Sequence, residues 1–227
     1  MVPSLLLLLP IGSNAEEVVV MSLQKLLQIV VGEFEIGKDN RLLYRDIAQI
    51  LQQTGFSDLT CIRADEGIGE KNDLRVLSFE SIQLNNLPIA IETVEEEERI
   101  EQPIPELSHM IPHGKMITTP VYRLFANELT LHDDEYVMLK IYTQAKGKWF
   151  GRKVHDDILE VFRENHLIWS TVIHGMDKPF SFFSSQRPVV IESIGTAGIV
   201  KKMIPELQKL IKEGLVIAIP IEVILNR

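Results

Sequence analysis

The residues best suited to chemistry lie in one glycine-containing segment that begins at Arg63 and ends at Lys71. Arg63 and Lys71 carry donors that pair with phosphate or carboxylate groups, while Gly67 and Gly69 allow the backbone to approach an anionic ligand closely. The segment therefore predicts an anion-binding loop. A surface loop with ordinary charges remains the alternative, because a single GxG pattern has low specificity.

Two glutamates recur at the same position of a repeated, otherwise apolar sequence. Glu92 lies in LPIAIETV (Leu87 to Val94), and Glu192 lies in RPVVIESI (Arg187 to Ile194). Charged side chains in apolar strands are seldom buried unless they are paired. Glu92 is therefore predicted to be either a ligand contact or one partner of an intersubunit ion pair.

Two further patterns suggest chemistry that the sequence does not complete. His109 and His113 have the spacing of two metal ligands on a helix, but Pro112 lies between them and the sequence offers no clear third ligand, so we predict no metal site. The only cysteine, Cys61, lies in an apolar run and is expected to be a buried, inert thiol. We predict no catalytic residues, no cofactor and no enzymatic activity.

A tandem repeat organises the chain. The motif IPEL at Ile104 to Leu107 returns unchanged at Ile204 to Leu207, at an offset of 100 residues. RLLYRDIAQIL (Arg41 to Leu51) aligns with RKVHDDILEVF (Arg152 to Phe162) at an offset of 111 residues. A repeat of this length defines domains. We predict an N-terminal extension (1–20), a first domain (21–125), a linker (126–135) and a second domain (136–227).

Hydrophobic periodicity predicts the same element order in both domains. In the first domain, strands are predicted at 18–31, 56–64, 87–94 and 116–124, with a short strand at 74–79 and helices at 41–55 and 95–111. In the second domain, strands are predicted at 136–143, 168–174, 189–194 and 215–225, with helices at 152–165 and 197–213. Pro105 is expected to kink or restart its helix. The order βαββαβ predicts an α+β chain of two ferredoxin-like domains with antiparallel sheets.

Each predicted sheet has one face that its own helices do not cover. The strands carry apolar residues on both faces, so the bare face is expected to pack against another sheet, from the second repeat or from a neighbouring chain. We therefore expect a homo-oligomer.

Composition argues against several functional classes. The 227 residues are 45% hydrophobic and include 23 basic against 32 acidic side chains, so no general attraction to nucleic acid is expected. The apolar run Leu5 to Leu9 is far shorter than the roughly 20 residues that span a bilayer. One cysteine excludes an intrachain disulfide, and we expect a cytoplasmic protein without membrane contact.

Taken in order, these segments resemble the uncharacterised PII-like proteins of domain-of-unknown-function family 190. The matching segments of the first half are LLQIVVGE (26–33), RLLYRDI (41–47), CIRADEGIG (61–69), LPIAIETV (87–94) and PIPEL (103–107). Those of the second half are LKIY (139–142), KWFGRKVHDDI (148–158), RPVVIESI (187–194), MIPEL (203–207) and GLVIAIPIEVI (214–224). The resemblance implies a ferredoxin-like fold similar to PII signalling proteins. Those proteins form trimers, so the resemblance implies a homo-oligomer that is a trimer or a trimer-like ring. They bind small effectors, often adenine nucleotides, in clefts between subunits, and no enzymatic activity is implied.

Departures from the family pattern limit the expected site to the first repeat. Ala64 replaces the usual glycine after Arg63, and His174 holds the arginine position in the second repeat. We predict a non-enzymatic PII-like regulatory protein that binds an adenine nucleotide or another small anion at an intersubunit cleft. The alternatives are an oligomeric scaffold without a ligand and, with less support, an enzyme that uses carboxylates in the cleft.

Overall fold

A computed structural model describes residues 24–37, 40–56, 58–68, 74–76, 86–144, 153–176 and 188–224. The first repeat contains β1 (Gln24–Gly32), α1 (Leu43–Gln53), β2 (Thr60–Arg63), β3 (Glu66–Ile68), β4 (Leu74–Val76), β5 (Pro88–Glu96), α2 (Glu97–Glu101), α3 (Ile104–Met110) and β6 (Lys115–Arg123). The second contains β7 (Tyr136–Gln144), α4 (Val154–Glu164), β8 (Ile168–His174), β9 (Pro188–Thr196), α5 (Ala197–Leu210) and β10 (Leu215–Pro220). The predicted extension 1–20 and the predicted start of the first strand lie outside the described residues.

Each repeat forms the same four-stranded antiparallel unit. The strand order is β2-β5-β1-β6 in the first repeat and β10-β7-β9-β8 in the second. In both repeats the strand after the first helix (β2 or β8) is the outermost strand of the unit, and it pairs with the strand before the second helix (β5 or β9). This is the split βαβ order of ferredoxin-like folds. The predicted α+β class with two tandem βαββαβ units is confirmed.

The two units join edge to edge through β6 and β10, which makes one eight-stranded sheet. The antiparallel ladder consists of two residue pairs, Arg123 with Ile217 and Tyr122 with Ala218. Continued in the same register towards the start of β6, the ladder would place Pro120 opposite Pro220. Because neither proline has an N–H, the ladder cannot make its next pair of hydrogen bonds there. This short junction is the first of two seams between the repeats.

The strands of both repeats contribute to three apolar layers. The helices cover one face of each half-sheet, and side chains from both half-sheets form a third cluster on the opposite faces. The residues of this central cluster are Leu26, Val94, Val121, Tyr142, Val190, Leu215, Ile217 and Ile219. The second repeat therefore covers the bare sheet face of the first within one chain, and no second chain is needed for that purpose.

The second helix of the first repeat is divided, whereas its counterpart is continuous. The helix restarts at Ile104, with Pro105 in its first turn, where a missing N–H costs little. In the second repeat α5 runs on through the equivalent Pro205. The difference lies at Pro103, whose place in the second repeat is taken by Met203. A second proline so close by removes another helical donor, so the predicted restart occurs only in the first repeat.

Candidate functional site

The predicted anion-binding segment leaves the sheet at the end of β2. Gly67 lies in β3 and pairs with Arg75 of β4, so this part of the segment forms a short hairpin rather than an irregular glycine loop. Gly69 and Lys71 lie outside the described residues. Arg63 is thus the charged residue of the predicted site that the structure positions.

Arg63 carries a donor that has no acceptor among the residues that the structure describes. Its Nη2 lies 2.8 Å from Oε2 of Glu33, a residue that directly follows β1. Its Nε is buried and has no hydrogen-bond partner among the described residues, although 29% of the side chain is exposed. A guanidinium has five N–H donors in a planar fork, so the pair with Glu33 leaves capacity for a second anionic group. A buried donor without an acceptor is uncommon in folded proteins.

The second repeat places an imidazole at the equivalent position. His174 ends β8, is exposed, and lies edge-on to the ring of His155 on α4, with 5.9 Å between the ring centroids. Oδ1 of Asp156 lies 3.6 Å from Nε2 of His155. Tyr44 on α1 is the repeat equivalent of His155. In the first repeat the Tyr44 ring contacts the Arg45 guanidinium instead, with 5.7 Å from the guanidinium carbon to the ring centroid.

The ends of β2 and β8 meet at a second seam between the repeats. The N–H of Met176 donates to the carbonyl of Cys61 over 2.8 Å, and the Met176 side chain packs on the helix-side core of the first repeat. A Cβ added to Gly175 would lie 2.9 Å from the same carbonyl oxygen and 2.6 Å from a ring carbon of Pro188. Glycine is required here because the two chain segments approach so closely.

The register set by the hydrogen bond between Met176 and Cys61 brings Arg63 opposite its repeat equivalent, His174. Cys61 lies two residues before Arg63. Met176 is the repeat equivalent of Asp65, which lies two residues after Arg63. An approximate two-fold axis that relates the two repeats at this seam therefore lies between Arg63 and His174.

Both of these side chains stand on the helix-covered side of the sheet. Arg63 is directly opposite Ile89, and His174 is directly opposite Val189. Ile89 and Val189 belong to the cores beneath the helices, and directly opposed residues of an antiparallel pair share a face. The second seam thus carries a basic residue from one repeat and a histidine from the other.

Glu92 belongs to a different site, a buried polar cluster between the two half-sheets. Only 1% of Glu92 is exposed. Its carboxylate accepts hydrogen bonds from Nζ of Lys140 (2.8 Å), the hydroxyl of Tyr142 (2.9 Å) and Nε2 of Gln28 (2.5 Å). Nζ of Lys140 also lies 2.9 Å from Oε1 of Glu192. One ammonium group therefore pairs with the equivalent carboxylates of both repeats.

The charges of the polar cluster alter the protonation of its members. Burial alone would lower the pKa of Lys140, but the charges and hydrogen bonds of Glu92 and Glu192 outweigh it and raise the pKa above its ordinary value. Burial, followed by the charge of Glu92, raises the pKa of the Tyr142 hydroxyl. Lys140 therefore stays charged and Tyr142 stays neutral at physiological pH.

The structure does not bring Glu92 to Arg63. Glu92 lies directly opposite Thr60 on the face between the half-sheets, whereas Arg63 stands on the helix-covered side. The ion pair considered for Glu92 is formed with Lys140 of the second repeat in the same chain, rather than with another subunit. This arrangement favours the pairing interpretation of Glu92 over a role as a ligand contact.

Sequence reasoning missed all three partners of Glu92, although the repeat contains a signal for two of them, Lys140 and Gln28. Lys140 lies in the apolar run YVMLKIYT, and it aligns with Gln28 of LLQIVVGE. A charged or polar residue at the same position of both first strands, beside a glutamate at the same position of both third strands, indicates a shared polar contact. The single cation and the Tyr142 hydroxyl could be assigned only from the packing of the half-sheets.

The remaining candidates do not form sites with metal or nucleophilic chemistry. Within the described residues no group of three or more metal-ligating side chains occurs. Cys61 is buried, and desolvation raises the pKa of its thiol to about 12, which disfavours a reactive thiolate. None of the described helices has the length and apolar composition needed to cross a membrane. An open groove of about 550 Å³ lies between residues 125–129 and α5, and none of the residues that line it belongs to either polar site.

Comparisons with known proteins place the chain in one family. No curated protein matches it. Two solved structures align over 88% of the chain at 10% identity: an unknown protein from Galdieria sulphuraria (99% of that chain, TM-score 0.30) and a proposed glycine cleavage system transcriptional repressor (98% of that chain, TM-score 0.29). The model of the DUF190 family, described as "Uncharacterized ACR", matches residues 24–123 and 136–223, and the protein therefore belongs to the DUF190 family as a two-repeat member.

Proposed function

We propose that this protein is a non-enzymatic regulatory protein that binds a small anionic effector at the seam between β2 and β8. The observation that carries this proposal is the buried Nε donor of Arg63, which has no acceptor in the described protein. Glu33 holds one side of the guanidinium in place, so the fork is oriented before a ligand arrives. A phosphate or carboxylate oxygen is the natural acceptor for the remaining donors.

The surroundings of Arg63 favour a small anion over a large polyanion. The chain carries a net charge of −9, so a nucleic-acid backbone is repelled at long range, while one guanidinium still offers a local anion site. His174, across the approximate two-fold relation, adds a second nitrogen donor when its tautomer or charge permits. The two repeats thus contribute unlike groups to one ligand.

An adenine nucleotide is the effector class that we propose. The PII-like proteins that this sequence resembles bind such nucleotides in clefts between subunits. In this chain the second repeat covers the sheet face of the first and meets it at the β2–β8 seam. The predicted intersubunit cleft is therefore proposed here as a cleft between repeats.

Thermal unfolding with ATP, ADP, AMP, cyclic AMP and inorganic phosphate tests this function. A ligand that binds only the folded state at 100 times its dissociation constant stabilises that state by about 2.7 kcal/mol. For a chain of this length we expect a rise in melting temperature of roughly 5–10 °C. Arg63→Gln should abolish the rise, whereas Arg123→Gln should retain it. Arg123 is a suitable control because it is also partly exposed and paired with an acid, Asp58.

The outcome separates this proposal from its alternatives. No shift with any of these ligands, in a wild-type protein that melts cooperatively, would contradict effector binding at the seam and favour an interaction module without a ligand. An equal shift in wild type and Arg63→Gln would place the ligand elsewhere. Hydrolysis of a nucleotide by the pure protein would contradict the non-enzymatic part of the proposal.

A further inference from the structure

Strand β6 has an edge that is only partly used. It pairs with β1 from Lys115 to Val121 along one edge, but it pairs with β10 only at residues 122–123 along the other. Among the described residues, none forms a β-ladder with the outer edge of residues 115–119. The first seam therefore continues into an open strand edge beyond Pro120.

The backbone groups on this open edge can be assigned from the first seam. The N–H of Leu124 donates to the carbonyl of Val216 on β10. Backbone groups of alternate residues point to the same edge of a strand, so Thr118 and Met116 direct their N–H and C=O groups outwards. Pro120 lies in the same phase and has no N–H to offer. The open edge consequently presents two donors and two acceptors between Lys115 and Thr119.

The side chains of Lys115, Ile117 and Thr118 in this segment are also exposed. Ile117 is 50% exposed, whereas its repeat equivalent Ile217 is fully buried between the half-sheets. Exposed strand edges that carry apolar side chains are sites of strand addition unless they are blocked. The outer strands β2 and β8 are protected differently: β2 has four residues and meets Met176, and β8 contains a register shift beside Trp169.

We propose that a second copy of this chain pairs with the open edge of β6 across a two-fold axis at Ile117. In this antiparallel register Met116 lies opposite Thr118 of the partner subunit, and both such pairs exchange N–H···O=C bonds. Ile117 faces the partner's Ile117 as a pair without hydrogen bonds, in which opposed side chains approach most closely. The edge is self-complementary because the same residues supply donors, acceptors and the apolar centre.

The charges and boundaries of the segment fit this occupant. Lys115 is its only charged residue, and the register places Lys115 opposite the partner's Thr119, so no like charges oppose one another. Gly114 precedes the segment and Pro120 follows it, and these residues limit the ladder to five residues on each chain. A ladder this short predicts a dimer that dissociates on dilution. This dimer is independent of effector binding at the other seam.

Light scattering over a range of protein concentrations provides the first test. We expect a concentration-dependent dimer in the wild type. Ile117→Lys and Thr118→Pro should both give monomers, the latter because the outward N–H is removed without loss of a bond to β1. Ile36→Lys is the control, since Ile36 is 56% exposed and lies outside this edge. Melting curves verify that each variant is folded.

Disulfide trapping tests the register itself. Ile117→Cys should cross-link with its own copy under mild oxidation, because opposed residues of such a pair lie within the Cα separation that a disulfide requires. Lys115→Cys alone should not cross-link, but it should do so when mixed with Thr119→Cys. The buried Cys61 does not interfere.

Several results would overturn the proposal. A wild type that is monomeric at every concentration, a dimer that survives Ile117→Lys, or a dimer in which Ile117→Cys fails to cross-link would each do so. A dimer that forms only after removal of residues 221–227 would show that the chain's own C-terminal segment occupies the edge, and it would also refute the second copy as the occupant.

Discussion

Replacement of Lys140 by methionine is the sharpest test of the contact between the repeats. Lys140 is the only cation in the described polar cluster, and its Nζ lies within 3 Å of carboxylate oxygens of both Glu92 and Glu192. Methionine keeps most of the volume of the side chain but removes its charge. The variant leaves Glu92, which is 1% exposed, without a counter-ion.

The expected loss of stability follows from the burial of Glu92. Breaking a buried ion pair by removal of one partner typically costs about 3–5 kcal/mol. Gln28 and Tyr142 still donate hydrogen bonds to Glu92, and bonds to a charged group contribute about 1.5–3 kcal/mol each. These bonds partly solvate the remaining carboxylate, so we expect a decrease of about 3 kcal/mol in the free energy of unfolding at pH 7.

A double-mutant cycle distinguishes the ion pair from a packing defect. In the Glu92→Gln, Lys140→Met double variant no unpaired Glu92 charge remains, so its loss of stability should be smaller than the sum of the two single losses by 1 kcal/mol or more. Urea unfolding followed by circular dichroism gives the free energies. Arg163→Met removes one partner of an exposed pair with Glu160 and should change stability by less than about 0.5 kcal/mol.

A loss of less than about 1 kcal/mol in Lys140→Met would refute the dependence of Glu92 on Lys140. Simple additivity of the two single losses would refute it as well, because the Glu92 charge would then not depend on Lys140. A loss in Arg163→Met as large as that in Lys140→Met would indicate a general effect of removing positive charge from an acidic chain. None of these results is compatible with a desolvated Glu92 that relies on a cation from the other repeat.

Two further predictions concern other contacts between the repeats. An unfolded tyrosine ionises near pH 10, whereas the pKa of Tyr142 is raised in the folded state, so its contribution to stability is lost as the pH rises above about 10. The stability advantage of the wild type over Tyr142→Phe, measured by urea unfolding, should be constant between pH 6 and 9 and shrink above pH 10. Gly175→Val places atoms against the Cys61 carbonyl and should cost about 1–3 kcal/mol and accelerate hydrogen exchange at the Met176 amide. Unchanged exchange would show that the second seam does not depend on that glycine.

The fold could be predicted from the sequence because its main determinants are local and appear twice. Short runs rich in Leu, Ile and Val identify β1 and β5, and the helical spacing of Leu43, Ile47 and Leu51 identifies α1. Each strand or helix predicted in one repeat could also be checked against its counterpart in the other repeat. The restart predicted at Pro105 has no counterpart at the equivalent Pro205, because the effect of a proline on a helix depends on its neighbours.

The arrangement of the two repeats could not be predicted from the same patterns. Apolar bare faces require a covering sheet, but they do not state whether a second repeat or a second chain supplies it. The answer depends on Gly175, whose lack of a side chain permits the approach at the second seam, and on a β6–β10 ladder of two residue pairs. For the same reason Glu92 was identified as unusual, but its partner Lys140, 48 residues away, was not.

Covalent linkage of the repeats explains why the residues near their approximate two-fold relation are unlike. Two separate identical chains would place the same residue on both sides of such an axis: two arginines at the second seam, or two lysines beside the two glutamates. Fusion removes this constraint. Here Arg63 corresponds to His174, and Lys140 corresponds to Gln28. A single lysine pairs with Glu92 and Glu192, and no second buried ammonium has to be desolvated beside it. If this interpretation is correct, Gln28→Lys should destabilise the protein, because it adds a cation that competes with Lys140 for Glu92.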